Sequence, residues 1–375
     1  MGELGTPLGY TMRHGTEIWH DGAVAAELSA AIAAGATGAT SNPSLVLEAV
    51  DRERVLWGGR IRALAADRPG ATDTALASAL VREIAVRGGG VLAPVFEREQ
   101  GRRGRFASQV ASALYGDADA TVVESLAIAS SGPNLQPKIP ATRAGLEALE
   151  ALSARGVTAM ATACFTVSQA IAVAEAAERG LERAAASGYD TASMTPLCVF
   201  LVGRTDDWFA ALAERGGGAL DPSDLEWPGV ACVKAAYRTY RDRGYRTRLL
   251  VAGFRRELHW SAFVGGDLVL SITPPWWARF QASTAPAPQA IEQPVEPRLV
   301  ARLRRAFPDF ARALEIDGFG IGDFDTLAPM VRTLRGFLRA RHELEGFVAD
   351  VLLPDPFAPR EGVGDPPAGR DSLQE

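Results

Sequence analysis

Lys138 is the residue whose surroundings point most clearly to chemistry. It lies in the string LQPKIPAT at residues 135–142, near the end of a short apolar run and just before a predicted helix. An ammonium group near the mouth of an apolar barrel loses hydration, so its neutral amine becomes more accessible. A neutral lysine amine can attack a ketone and form a Schiff base, an electron sink for carbon–carbon cleavage. A lysine after a strand is more often merely solvated, so this interpretation depends on its neighbours.

Eight short β-like runs, alternating with helical periodicity, position this lysine. They cover residues 17–20, 36–40, 106–110, 135–139, 157–163, 197–202, 248–252 and 268–272. This alternation predicts an α/β protein with a closed (β/α)8 TIM barrel rather than an open sheet. Residues 44–104 are too long for one crossover, which predicts extra helices between strands two and three. One of these is expected at Thr74–Arg87, ending at the glycines of 88–90.

A proline-rich segment divides the chain. We expect the barrel at residues 1–283, a linker at 284–297, a C-terminal helical region at 298–353 and a disordered tail at 354–375. Two roles are open for the C-terminal helical region. It could cover the barrel mouth, or it could form the interface of a homodimer.

Composition excludes several classes of function. The chain has 375 residues, 47% of them hydrophobic, and a formal net charge of −6, which argues against nucleic acid as the main partner. No apolar run is long enough to predict a membrane span, and the N-terminus lacks the pattern of a signal peptide. The three cysteines form no CxxC pair, so we expect buried free thiols and a cytoplasmic location.

Polar side chains follow the predicted strands, where barrel chemistry is found. In chain order the strand ends carry Asp21, Asn42, Gln109, Lys138, Thr162, Arg204 and Arg255. One carboxylate, two amides, a lysine, a hydroxyl and two arginines suit a phosphorylated ketose. The four histidines are scattered without metal-ligand spacing, and no glycine-rich nucleotide loop follows a strand, so we expect neither a metal nor a cofactor.

The strings around these residues resemble the transaldolase family of Schiff-base-forming enzymes. They include IWHDG at 18–22, GATSNPS at 38–44, LQPKIPATRAGLEAL at 135–149, ATACFTVSQA at 161–170 and VFLVGRTDDW at 199–208. The resemblance covers about residues 16–275, and its N-terminal string is most similar to the long actinobacterial and plant branch. It implies sugar phosphate substrates.

The resemblance implies a role for each catalytic candidate. Lys138 would be the Schiff-base nucleophile, and Asp21 would take the proton from the substrate hydroxyl next to the bond that breaks. Thr162 and Gln109 would hold a water near the imine. By itself, Asp21 would more readily be interpreted as a turn or helix-cap residue.

The resemblance also implies a binding set. Ser41 and Asn42 would contact the three-carbon donor, while Arg204, Arg255 and the backbone of Gly253 would hold the terminal phosphate. Taken singly, Asn42 before proline is typical of a turn, and each arginine is typical of a surface ion pair.

Five positions depart from the family pattern, and they leave alternatives open. Gln109 stands where the family normally has a glutamate that hydrogen-bonds the catalytic water, and the fructose 6-phosphate aldolase-like branch also has glutamine there. An amide can hold a water but cannot accept and return its proton. The other four, Val199, Leu201, Met160 and Gly253, replace polar or aromatic residues of the pocket. The sequence therefore predicts transfer of a dihydroxyacetone unit between sugar phosphates. An aldolase or synthase with another substrate, or a non-catalytic sugar-phosphate-binding barrel, stays open.

Overall fold

Eight parallel strands close into a barrel in the computed structural model, which describes residues 5–216, 220–284, 288–354 and 356. The strands pair in chain order, and β8 pairs with β1, which confirms the predicted (β/α)8 fold. Every strand residue except Arg248 is buried. The strands are β1 Glu17–Asp21, β2 Ala39–Thr40, β3 Phe106–Gln109, β4 Leu135–Pro140, β5 Met160–Cys164, β6 Leu197–Leu201, β7 Arg248–Ala252 and β8 Val269–Ile272.

Helices surround this barrel and follow most of its strands. Through β8 they are α1 Pro7–Arg13, α2 Ala25–Ala33, α3 Pro43–Arg52, α4 Arg54–Asp67, α5 Asp73–Arg98, α6 Ala118–Ala129, α7 Arg143–Ser153, α8 Val167–Ala186, α9 Val202–Gly216, α10 Pro228–Arg243 and α11 Leu258–Ser261. Short 3-10 turns lie at Ser112–Leu114 and Pro222–Glu226. The extra helices predicted between the second and third strands are confirmed as α3, α4 and α5.

Three helices and a 3-10 turn make up the C-terminal region, after a helix that follows β8. The bounds are α12 Pro274–Gln281, α13 Pro297–Ala306, α14 Pro308–Ala313, the turn Ile321–Thr326 and α15 Ala328–Leu352. Helix α15 packs against α3, α4, α5 and α9. Because α3 and α9 begin where β2 and β6 end, α15 lies across the carboxyl end of the barrel. This position fits one of the two roles left open by the sequence, covering the barrel mouth, and the homodimer interface stays a prediction.

The predicted domain limits are not tested by this arrangement. Residues 285–287 of the predicted linker lie outside the described residues. So does the predicted disordered tail at 354–375, apart from Pro354 and Pro356. The division of the chain stays a prediction.

Two strand predictions were wrong at their N-terminal ends. The second strand pairs only through Ala39 and Thr40 rather than from residue 36, and the fifth begins at Met160 rather than 157. Thr142 caps α7, since its hydroxyl accepts a hydrogen bond from the backbone N–H of Gly145 at 3.0 Å.

The prediction that a helix ends at the glycines of 88–90 was also wrong, because α5 continues to Arg98. Packing explains these glycines. A Cβ at Gly88 would lie 2.3 Å from the ring of Phe106, and one at Gly89 would lie 2.8 Å from Leu135. The glycines let α5 approach β3 and β4 closely, and this close packing outweighs their low helix propensity.

We expect Gly88→Ala and Gly90→Ala to change stability in opposite directions. The new methyl at position 88 meets the fully buried Phe106 ring, and overpacking of this kind costs about 1–3 kcal/mol. Gly90 has nothing within 4 Å of a Cβ, so alanine there should raise stability by up to about 1 kcal/mol through helix propensity. Thermal or urea unfolding of both variants measures the difference. Equal effects at the two positions would contradict the packing explanation.

Candidate active site

Lys138 lies on β4 with its side chain only 4% exposed. Its Nζ donates a hydrogen bond to the backbone carbonyl of Ser41 at 3.0 Å. The strand register places Lys138 beside Gln109 on β3 and Met160 on β5. Burial lowers the pKa of Lys138 to about 8; the carboxylate of Asp21 opposes this shift, and the charge of Arg204 adds to it. The lysine therefore has an amine that is partly neutral near physiological pH.

Asp21 ends β1 and is also buried. Its Oδ1 accepts a hydrogen bond from the Thr40 hydroxyl at 2.6 Å, and that hydroxyl lies 2.7 Å from the Ser271 hydroxyl. Burial raises the pKa of Asp21, while the charge of Lys138 and the bond from Thr40 lower it. Thr40 and Ser271 were not among the predicted site residues. Thr40 could have been found from its position, since it pairs in register with Asp21 across the β1–β2 ladder.

Gln109 is buried at the end of β3, in register with Lys138. Its Nε2 donates to the Ser112 hydroxyl at 3.3 Å, whereas its Oε1 has no hydrogen-bond partner among the described residues. An orphaned buried oxygen is costly, so this amide is placed to accept a hydrogen bond from a water or a substrate.

Thr162 is 1% exposed and lies at an irregularity of β5. The register of β5 against β6 shifts between Ala161 and Cys164, and Ala163 has φ of 60°. An alanine in the left-handed region is strained. Bulges next to an active site often redirect a side chain, and here the bulge adjoins Thr162.

Ser41 and Asn42 lie at the end of β2, with their backbone next to Lys138. The Ser41 hydroxyl donates to the carbonyl of Ala107 at 3.0 Å. Asn42 caps α3, because its Oδ1 accepts from the backbone N–H groups of Ser44 and Leu45 at 3.0 and 3.2 Å. The turn chemistry expected before proline is therefore present. In the described part of the chain the Nδ2 of Asn42 has no partner, so it can still donate to a hydroxyl.

A carboxylate that the sequence analysis did not consider lies near Gln109. Glu124, on α6, shares a cavity of about 30 Å³ with Ser41, Asn42 and Gln109. Its Oε2 accepts from the backbone N–H of Ala111 at 3.0 Å, and burial raises its pKa. Nothing in the helical pattern of α6 distinguishes this glutamate from a surface residue.

The two predicted phosphate-binding arginines lie together in another cavity, of about 420 Å³, between α9 and α15. Arg204 is half-buried, with its guanidinium 5.4 Å from the ring centre of Phe337 on α15. Arg255 forms an ion pair with Asp207 at 2.9 Å. Gly253 has φ of +76°, which favours glycine, and it offers only backbone groups.

A buried histidine that the sequence analysis left unassigned positions Arg255. The backbone N–H of Arg255 donates to Nδ1 of His259 at 3.1 Å, so Nε2 carries the proton and donates to Asp206 at 2.7 Å. Asp206 also accepts from the N–H of Gly229 at 2.8 Å. This chain of hydrogen bonds fixes the backbone at Arg255. In the sequence, the feature that could have indicated the contact is the spacing of four residues between Arg255 and His259.

No helix in the described ranges, 5–216, 220–284 and 288–354, combines the length and apolar composition needed to cross a membrane. No group of three or more histidine, cysteine, aspartate or glutamate side chains in those ranges could hold a metal ion.

Comparison with known proteins gives one family. The family described as Transaldolase/Fructose-6-phosphate aldolase matches residues 18–316. A protein named Transaldolase from Mycolicibacterium paratuberculosis is 31% identical over 207 residues, 55% of each chain. Proteins of the same name from Acidothermus cellulolyticus and Saccharopolyspora erythraea are 34% identical over 158 residues, 41% of each chain, and 33% identical over 209 residues, 55% of each chain. The chain spans about half the length of the curated relatives it matches.

Proposed function

Because the chain belongs to the transaldolase/fructose-6-phosphate aldolase family, we propose that it transfers a dihydroxyacetone unit from a ketose phosphate to an aldose phosphate through a Schiff base on Lys138. One observation carries this proposal. The buried amine of Lys138, with a pKa of about 8, interacts electrostatically with the buried carboxyl group of Asp21 at the carboxyl end of the barrel. A cytoplasmic location and a homodimer stay predictions from the sequence.

The lysine supplies the covalent step. Its neutral Nζ attacks the ketone carbon of the donor, and the resulting carbinolamine loses water to give an iminium ion. Ser41 supports this role, because its backbone carbonyl accepts the hydrogen bond that holds Nζ at the strand end. In this proposal Gln109 and Thr162 hold the water that leaves and later returns.

Asp21 supplies the proton transfer for bond cleavage. Its carboxylate takes the proton of the C4 hydroxyl, the C3–C4 bond breaks, and the bonding electrons pass to the iminium to form an enamine. The aldose phosphate leaves as the aldehyde. In the reverse direction the enamine attacks an acceptor aldehyde, and Asp21 returns the proton to the new hydroxyl. Thr40 orients the carboxylate for both steps.

The arginines bind the non-reacting end of the substrate. Two guanidinium groups can give a phosphate paired, charge-assisted hydrogen bonds. Arg204 acts electrostatically on both Asp21 and Lys138, so a phosphate held there lies within reach of the reacting groups. Binding energy from the phosphate would then orient the ketose against the lysine.

The proposal is tested by incubating the protein with fructose 6-phosphate and a four-carbon aldose phosphate. We expect a seven-carbon ketose phosphate and a three-carbon aldose phosphate, both formed over multiple turnovers only when the acceptor is present. Absence of both products with these substrates, together with measurable binding of fructose 6-phosphate, would contradict the proposal and favour a non-catalytic sugar-phosphate-binding barrel.

Gln109 favours a second candidate, a fructose 6-phosphate aldolase-like activity. Its amide can hold a water but cannot relay its proton as a carboxylate would. Release of free dihydroxyacetone from fructose 6-phosphate without any acceptor, at a rate matching transfer, would identify this activity. Release of dihydroxyacetone that is much slower than transfer would support the leading proposal.

We expect Gln109→Glu to move the pH dependence of Schiff-base formation to higher pH. A carboxylate beside Lys138 stabilises its ammonium form, and a neighbouring opposite charge typically raises a lysine pKa by about 1 unit or more. The rate of adduct formation, trapped with borohydride, is measured from about pH 6 to 10, roughly 2 units on either side of the midpoint expected for the native protein. Its dependence on pH gives the midpoint for each variant. Gln109→Met is the control, since it removes the amide without adding charge. A midpoint that falls in Gln109→Glu would contradict the proximity of the two side chains.

A further inference from the structure

The cavity between α9 and α15 contains more positive charge than one phosphate requires. Its volume of about 420 Å³ lies within the usual range of about 300–1,000 Å³ for small-molecule sites. Its ionised lining residues are Arg204, Arg215, Arg255, Arg332, Arg339 and a single carboxylate, Asp207. This concentration of arginines occurs in a chain whose net charge is −6.

The arginines are spread along the cavity rather than gathered at one point. Arg204 and Arg215 lie on one face of α9, eleven residues and therefore about 16 Å apart along the helix axis. Arg332 and Arg339 lie on α15, seven residues and about 10 Å apart. A single phosphate cannot contact groups distributed over this length, so the cavity is a groove suited to an extended anion.

Most of this charge is not neutralised by the protein. Arg255 is paired with Asp207, and Arg204 is stacked on Phe337. Arg215, Arg332 and Arg339 make no ion pair with any described residue. Burial lowers the pKa of Arg204, and the charges of Arg255 and Arg332 lower it further, while the carboxylates of Asp207 and Asp21 oppose the shift. Arg255 and Arg332 therefore both repel Arg204. A bound anion would relieve that repulsion.

We propose that this groove binds a sugar phosphate carrying a second phosphate beyond the first. This inference rests on the proposed function and specifies its substrate class. Arg204 and Arg255 hold the phosphate nearer to Lys138. Arg332 and Arg339 from α15, with Arg215 from α9, hold the second. The two phosphates are either joined as a diphosphate or separated by sugar carbons, and the test distinguishes these two spacings.

The test is direct binding of inorganic phosphate, pyrophosphate and fructose 1,6-bisphosphate by calorimetry at fixed ionic strength. We expect pyrophosphate or the bisphosphate to bind at least about tenfold more tightly than phosphate. Arg332→Ala should remove that gain while changing phosphate binding less than about threefold. Arg335→Ala is the matched control, since this exposed arginine is on the same helix, carries the same charge and lies outside the cavity lining.

The ligand that shows the gain, the diphosphate or the bisphosphate, identifies the spacing of the two phosphates. No gain with either ligand, or a gain lost equally in Arg335→Ala, would overturn the inference. Borohydride trapping on Lys138 keeps this test separate from the proposed function. An adduct with fructose 6-phosphate but no gain would reject only the second phosphate site. A gain without any adduct would place an anion site in a protein that does not form the Schiff base.

Discussion

Replacing Lys138 by methionine is expected to abolish turnover, with a fall in kcat on the order of 10⁴-fold or more. Methionine has nearly the same length but no amine, so no imine can form with the ketone. Burial of Lys138 makes this substitution tolerable for the fold, because it removes a charge that is disfavoured in an apolar site. Turnover of fructose 6-phosphate with an aldose phosphate acceptor measures the effect, and thermal unfolding checks that the variant is folded.

Lys234 provides a matched control for this variant. It is also buried, and burial lowers its pKa to about 8 as well. Its Nζ donates to the carbonyls of Ala290 and Gln293 at 2.5 and 2.7 Å, so its role is to hold that segment against α10. Lys234→Met should reduce stability and leave the chemistry in place. Equal losses of kcat in the two folded variants would contradict the assignment of Lys138.

The pH dependence of adduct formation follows from the same lysine. With a pKa of about 8, roughly a quarter of the amine is neutral at pH 7.5, compared with ~0.1% at the ordinary value of 10.5. The rate should therefore rise with pH, reach half its maximum near pH 8 and then level off. An unperturbed lysine would give a rate that still rises above pH 10, which is about its ordinary pKa.

The second large effect is expected from Asp21→Asn. The amide keeps the shape of the side chain and its contact with Thr40 but cannot take a proton from the substrate hydroxyl. We expect kcat to fall by roughly 10²- to 10⁴-fold, the usual contribution of a positioned general base. The Schiff base should still form, so borohydride trapping with fructose 6-phosphate should give an adduct of the whole ketose rather than a three-carbon fragment.

Asp21→Asn has a further expected signature in the pH profile. The Asp21 carboxylate raises the pKa of Lys138, so its removal should move the midpoint of adduct formation below that of the native protein. A three-carbon adduct formed at the native rate, or a midpoint that rises, would contradict the role of Asp21.

The barrel and the strand-end residues could be predicted from the sequence because their signals are local. Strand runs such as residues 248–252 and the Thr142 cap are determined by neighbouring residues in the chain. The three glycines of 88–90 were misleading, because the sequence shows their low helix propensity but not the Phe106 ring against which α5 packs. Tertiary contact outweighed propensity there.

The parts that could not be predicted depend on contacts between distant segments. Nothing near residue 337 indicates that a C-terminal helix places Phe337 against Arg204, more than a hundred residues earlier in the chain. The pairing of His259 with Asp206 likewise joins α9 to the segment after β7. The groove arginines of α15 were predicted only as part of a helical region. Their shared cavity with Arg204 and Arg255 depends on how that helix crosses the barrel mouth.

Intact-mass spectrometry after borohydride reduction tests the central claim most directly. The protein is mixed with fructose 6-phosphate and reduced, and native protein is compared with Lys138→Met. We expect one stable adduct per native chain, with the mass of the ketose phosphate or of its three-carbon fragment, and none on Lys138→Met. An adduct of equal yield on both proteins would contradict a Schiff base at Lys138. So would the absence of any adduct on native protein under conditions in which it converts the substrate.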